Sequence, residues 1–133
     1  MNDPGMIISY DELKILLYNR GFRSCIGIMM PDDKRSDEEI LLAMNKLAQK
    51  GIIIAQEDAF VIDFNWIAVI DLIGQPESSY SFTVPETGQL YYCYISEDLI
   101  VVTEKYWKKK DTLLLRRFTP AEFHAWREEL EKE

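Results

Sequence analysis

The sequence predicts an α+β fold: a helical N-terminal part, an antiparallel meander of four strands, and a closing C-terminal helix. Three observations carry that expectation. Between Ser78 and Phe118 lie four β-rich runs, Ser78–Val84, Gln89–Ile95, Leu99–Trp107 and Thr112–Phe118. The polar turns Pro85–Gly88, Ser96–Asp98 and Lys108–Asp111 separate them, and connections that short join antiparallel neighbours. Ahead of the meander, apolar residues recur at helical spacing behind capping signals, and after it Thr119-Pro120-Ala121-Glu122 opens another helical stripe.

Taken in order, Ser9-Tyr10-Asp11-Glu12 is a capping box, followed by Leu13, Leu16, Leu17 and Arg20 at helical spacing and stopped by Gly21. Phe22–Pro31, with Ile26, Ile28 and Met30 alternating, reads as an extended arm or short strand, and Pro31–Arg35 as a polar loop. A second capping box, Ser36-Asp37-Glu38-Glu39, opens a helix with Ile40, Ala43, Met44, Leu47 and Ala48 on one face and Lys50-Gly51 at its end. Ile52–Ala55 and Ala59–Ile62 form a small hairpin around Gln56-Glu57-Asp58. Asp63 then caps a third helix, Phe64–Ile73, with Trp66, Ile67, Ile70 and Ile73 inward. Its β-branched content also suits one long buried strand over Ala59–Ile73, but the Asp63 cap and the Gly74-Gln75-Pro76 exit favour the helix. Pro120–Glu131 closes the chain, with Phe123, Trp126, Arg127 and Leu130 as its stripe.

The 133 residues suit a single domain, with a helical part and hairpin over 9–76, the sheet over 78–118 and the last helix over 120–131. A net charge of −8 opposes a phosphate backbone, so nucleic acid is a disfavoured partner. No apolar run approaches the ~20 residues that span a bilayer, and the polar start Met1–Gly5 lacks a secretory signal. A cytoplasmic protein without membrane insertion is therefore expected, with Cys25 and Cys93 reduced and packed as small hydrophobes.

Chemistry-bearing patterns are scarce. His124 is the single histidine and has no nucleophile at a meaningful spacing, so no catalytic residue is expected. Neither a metal-ligand pattern nor a glycine-rich phosphate loop occurs, and no metal or cofactor is expected. Asp37, Glu38 and Glu39 are first-turn residues that complement a helix dipole. Lys105, Lys108, Lys109, Lys110, Arg116 and Arg117 make a basic cluster around the last turn. It suits either an acidic peptide or single strand, or a solvated hairpin tip that discourages edge pairing.

The meander is apolar on both faces: Leu90, Tyr92 and Tyr94 point one way, Tyr91, Cys93 and Ile95 the other. Either helices cover both faces, or one face needs a partner. On the second alternative, Tyr91, Tyr92, Tyr94, Tyr106 and Trp107 are the expected partner-binding residues of a non-catalytic protein-binding module, exposed on an aromatic sheet.

The helix–loop–helix–hairpin from Ser9 to Ile62 resembles a winged helix, with Asp37–Lys50 as recognition helix and Ala55–Phe60 as wing. Such a DNA-binding regulator would present Asp37, Glu38, Glu39 and the wing tip Gln56-Glu57-Asp58 to phosphate, which is repulsive. A structural helical subdomain is the better reading. The order of Ser9–Leu17, Ser36–Gly51, the Leu41–Ile53 phrase ending in Lys50-Gly51-Ile52-Ile53, the acidic turn Glu57-Asp58, the helix Asp63–Ile73, the meander and the closing helix looks like the EspG family. Those proteins are cytosolic chaperones of mycobacterial type VII (ESX) secretion, about twice this length and built as two similar halves around a shared sheet. The resemblance implies a chaperone-like protein that binds a helical export substrate, and a homodimer that rebuilds the two halves. Type III secretion chaperones are likewise small, acidic and dimeric, but their order of elements differs.

Overall fold

The computed structural model describes residues 5–28, 35–57 and 59–132. Strand β1 (Met6–Ser9) leads directly into helix α1 (Tyr10–Asn19), and helix α2 (Asp37–Gln49) leads into a hairpin of β2 (Ile53–Gln56) and β3 (Ala59–Ile62). Helix α3 (Phe64–Gly74) precedes the meander β4 (Ser78–Thr83), β5 (Leu90–Ile95), β6 (Ile100–Lys105) and β7 (Thr112–Phe118), and helix α4 (Pro120–Lys132) closes the chain. The fold is α+β, as the sequence predicts.

The helix signals act as their chemistry requires. At Ser9 and at Ser36 the cap hydroxyl accepts the N–H of Glu12 or Glu39, whose carboxylate accepts the cap N–H in return. The same exchange joins Thr119 and Glu122 at the start of α4. Gly51, at φ 76°, turns the chain out of α2, and the Ile52 N–H reaches back to the Leu47 carbonyl at 3.0 Å. Asp63 caps α3, so Phe64–Gly74 is a helix and not a strand.

The main sheet is antiparallel, in the order β1-β7-β6-β5-β4, with β2 and β3 as a separate pair. The expected meander is therefore joined by a fifth strand. β1 pairs with β7 through Met6↔Leu115 and Ile8↔Leu113. Four residues are too few to show a period, and their partner lies a hundred positions away, so no local pattern announces β1. The expected extended arm Phe22–Pro31 is also corrected. Its described part, 22–28, is a bent loop held by one Cys25↔Ile28 bridge. Gly27, at φ 82°, makes that bend. Met30, Pro31 and most of the expected polar loop lie outside the described residues, as does Asp58 of the hairpin turn.

Both sheet faces are covered from within the chain. On the first face, Tyr94, Val101, Leu113, Leu115 and Ile8 pack against Leu13, Leu16 and Leu17 of α1 and Trp66, Ile70 and Ile73 of α3. On the second, Tyr91, Cys93, Ile100, Val102 and Phe118 pack against Trp126 of α4, with Phe123 and Leu130 beside it. The two-sided apolar pattern is thus met by helices, which removes the premise that one face must stay open.

Polar contacts join the layers. Glu12, 2 % exposed, receives the Lys50 ammonium at 2.7 Å, and the same ammonium donates to the Ile7 carbonyl at 2.7 Å. Arg20 bonds Asp71 through two nitrogens at 2.8 and 2.9 Å, fixing α1 to α3.

Candidate functional site

Strand alternation and the path of the 25–28 loop create a groove of about 740 Å³ on the first face, bounded at one end by Tyr10 at the start of α1. Leu90 and Tyr92 of β5, Thr103 and Lys105 of β6 and Leu113 of β7 share that face, because Tyr92 pairs with Thr103 and Lys105 with Leu113. Gly27 and Ile28 form one wall, and Trp107 stands at the rim. The lining is mainly apolar, with Gln89, Thr103, Lys105 and the Arg116-paired Glu104 as its polar side chains, which is the composition of a binding cleft.

Gly27 sets the depth of this groove. A Cβ built on it would lie 2.3 Å from the Tyr92 ring, so the backbone of the loop rests directly on that ring. The Tyr94 hydroxyl donates to the Ile26 carbonyl and fixes the same loop from below. Burial pushes the Tyr94 phenol well above its ordinary value, so this donor stays protonated at any physiological pH.

Trp107 is 82 % exposed, and the Lys108 ammonium sits 5.1 Å from its ring centroid. The turn beneath is ordered: Tyr106 N–H donates to the Thr112 carbonyl at 2.9 Å, and Thr112 Oγ1 donates to the Lys110 carbonyl at 2.9 Å. Asp111, at φ 52°, completes it. Lys105 of β6 lines the groove and Lys108 stands beside it at Trp107, whereas Lys109 and Lys110 line a neighbouring cleft. The expected basic cluster divides here. Arg116 pairs with Glu104 and stacks on Trp126, and Arg117 lies 4.5 Å from the Trp66 ring centroid, so both arginines serve the two covered faces.

The expected partner-binding residues are split in the same way. Tyr92 lines the groove and Trp107 its rim. Tyr106 is half-buried at the base of the turn. Tyr91 and Tyr94 were expected to be exposed, and that is corrected. Tyr94 is fully buried beneath α3 and the 25–28 loop, and Tyr91 lies on the second face, 5.1 Å from Phe82 and 5.2 Å from Trp126 between ring centroids. Consecutive residues of a strand point to opposite faces, so no single surface can hold Tyr91 and Tyr92 together. Leu90 and Gly27 were not expected at the site, whereas Lys105 enters it from the expected basic cluster. The parity shared by Leu90 and Tyr92 was visible in the sequence, whereas the placement of Gly27 required a long-range contact.

Other surfaces offer less. A smaller cleft of about 230 Å³ between α1, α2 and the last turn mixes Arg35, Lys46, Lys109 and Lys110 with Asp11, Glu39 and Asp111, and Arg35 already bonds Asp11 at 2.9 Å. Leu41 and Leu42 of α2, the Ile54↔Val61 pair of the hairpin and Phe64 are exposed apolar residues. In α2 only Ala43 and Leu47 are fully buried; Ile40 and Ala48 of the expected stripe are exposed. Asp37, Glu38, Glu39, Gln56 and Glu57 are exposed on the elements that a winged helix would turn to DNA.

His124 is exposed and lies 3.1 Å from Glu128. Burial raises the Cys25 and Cys93 thiols to about 11, so neither is a ready thiolate. Among the described residues, no group of three or more His, Cys, Asp or Glu side chains could hold a metal ion, and no helix is long and apolar enough to cross a membrane. No protein-family model matches this chain, and no curated protein matches it.

Proposed function

We infer that the chain is a non-catalytic protein-binding module whose groove seats an apolar segment of a partner polypeptide flanked by acidic residues. The observation that carries this reading is the pairing of an apolar groove with a lysine-bearing rim in a chain of net charge −8. An apolar floor contributes affinity through buried area, and Lys105 and Lys108 select the sign of the flanking charge. An exposed tryptophan beside a pocket is the kind of side chain that dominates binding energy at protein interfaces. The finer reading follows from the resemblance in element order: the partner is a helical export substrate, held soluble in the cytoplasm before secretion.

The test is to draw the tagged protein from its native cytosol and compare it with Trp107→Ser and Leu90→Ser. The native chain is expected to bring down one acidic polypeptide at fixed stoichiometry. Each variant should lose it while keeping the native melting temperature, because both side chains are exposed. Nucleic acid in the eluate, or a partner that both variants retain, would overturn the reading.

A further inference from the structure

The two edges of the main sheet are treated differently. In β1 the Tyr10 N–H bonds the Asp111 carbonyl at 2.9 Å, so residues of even number face β7 and Ile7 and Ser9 turn their backbone groups outward. Two of these outward groups are occupied: the Ile7 carbonyl by Lys50 and the Ser9 N–H by Glu12, the latter at 2.8 Å. A strand pairing there would have to displace both contacts.

At the other edge, the Val84 N–H bonds the Gln89 carbonyl at 3.0 Å, and the register continues through Phe82↔Tyr91, Tyr80↔Cys93 and Ser78↔Ile95. These residues bond β5. By alternation, Ser79, Ser81 and Thr83 turn their N–H and C=O groups away from the sheet. All three side chains are exposed, and no described strand lies beyond β4. The run Ser-Ser-Tyr-Ser-Phe-Thr contains no lysine, proline or charge of the kind that ordinarily blunts an edge.

We propose that β4 is a homodimerisation edge, pairing antiparallel with β4 of a second copy across a two-fold axis at Ser81. In this register Ser81 faces the partner's Ser81 and Ser79 faces the partner's Thr83, so all the outward N–H and C=O groups of the three residues are satisfied at once. The same register sets Tyr80 opposite the partner's Phe82 on the second face, and Phe82 opposite the partner's Tyr80. Cross-strand aromatic pairs of this kind are favourable, and no charge within Ser78–Thr83 opposes another. The surface is self-complementary, as a two-fold interface requires. Arg127 prepares the aromatic pair, since its guanidinium lies 3.7 Å from the Phe82 centroid and donates to the Tyr80 hydroxyl at 2.8 Å. The product is one continuous antiparallel sheet through both copies. This pairing is independent of the groove, which lies at β5 and β6.

The test is sedimentation equilibrium of the full chain from about 1 to about 200 μM, a range suited to a small, strand-edge interface. The expected result is association from 15.6 kDa to twice that mass, strengthened by salt because like-charged copies then repel less. Ser81→Pro removes the N–H that each copy donates at the axis, and should weaken the dimer roughly 30-fold. Ser81→Lys sets two ammonium groups face to face on an exposed position; it keeps the fold and should also return the monomer. A native chain that stays at 15.6 kDa throughout, or a dimer that Ser81→Lys leaves intact, would overturn the proposal.

Discussion

Replacing Glu12 is the sharpest perturbation of how the helical part is held on the sheet. Its carboxylate is 3 % exposed and makes two distinct contacts: Oε1 accepts the Ser9 N–H at 2.8 Å and Oε2 accepts the Lys50 ammonium at 2.7 Å. Glu12→Ala removes both. Loss of the cap contact costs about 1 kcal/mol, and loss of a charge-assisted bond about 1.5–3 kcal/mol. Lys50 is about one-quarter exposed and still bonds Ile7, so it rehydrates and adds no full burial penalty. The sum is about 2.5–4 kcal/mol, or roughly 8–15 °C in melting temperature for a domain of this size. Glu12→Gln keeps an oxygen for the Ser9 N–H and loses only the charge, so it should cost about 1–2 kcal/mol. Urea unfolding followed by circular dichroism at constant m-value reads both. A Glu12→Ala loss below about 1 kcal/mol would refute the reasoning, because neither contact would then contribute to stability.

Trp126→Ala should cost about 3–5 kcal/mol and free α4 to proteolysis, since that indole touches Phe82, Tyr91, Phe118 and Phe123 on the second face. Gly27→Ala should cost about 1–3 kcal/mol, through positive φ and a Cβ driven onto Tyr92. In a Tyr92→Ala background that cost should shrink to the backbone part alone, which a double-mutant cycle measures. With both thiols near 11, about one in a thousand is thiolate at pH 8. Iodoacetamide should therefore label the native protein slowly, faster as pH rises toward 11, and at the ordinary thiol rate once urea opens the core.

Local chemistry wrote most of the fold into the sequence. The capping boxes at Ser9 and Ser36, the Asp63 cap and the glycine stop at Gly51 act within a few residues of themselves, so their outcome is readable without knowing the rest of the chain. The same holds for the short turns that force β4 to β7 into an antiparallel meander. What the sequence could not decide is where a side chain with two allowable sides ends up. Alternation placed Leu90, Tyr92 and Tyr94 on one face, but only the arrival of α3 and the 25–28 loop made Tyr94 core and left Leu90 open. Arg116 and Arg117 read as part of a basic surface, and distant Trp126 and Trp66 turned them inward. β1 and its outer edge depend on partners dozens of residues away: Leu113 and Leu115 for the pairing, Lys50 for the edge. Capping and alternation are contacts of short sequence separation, set by backbone geometry. Exposure, grooves and free edges are properties of the packed whole, set by which distant elements cover which surface.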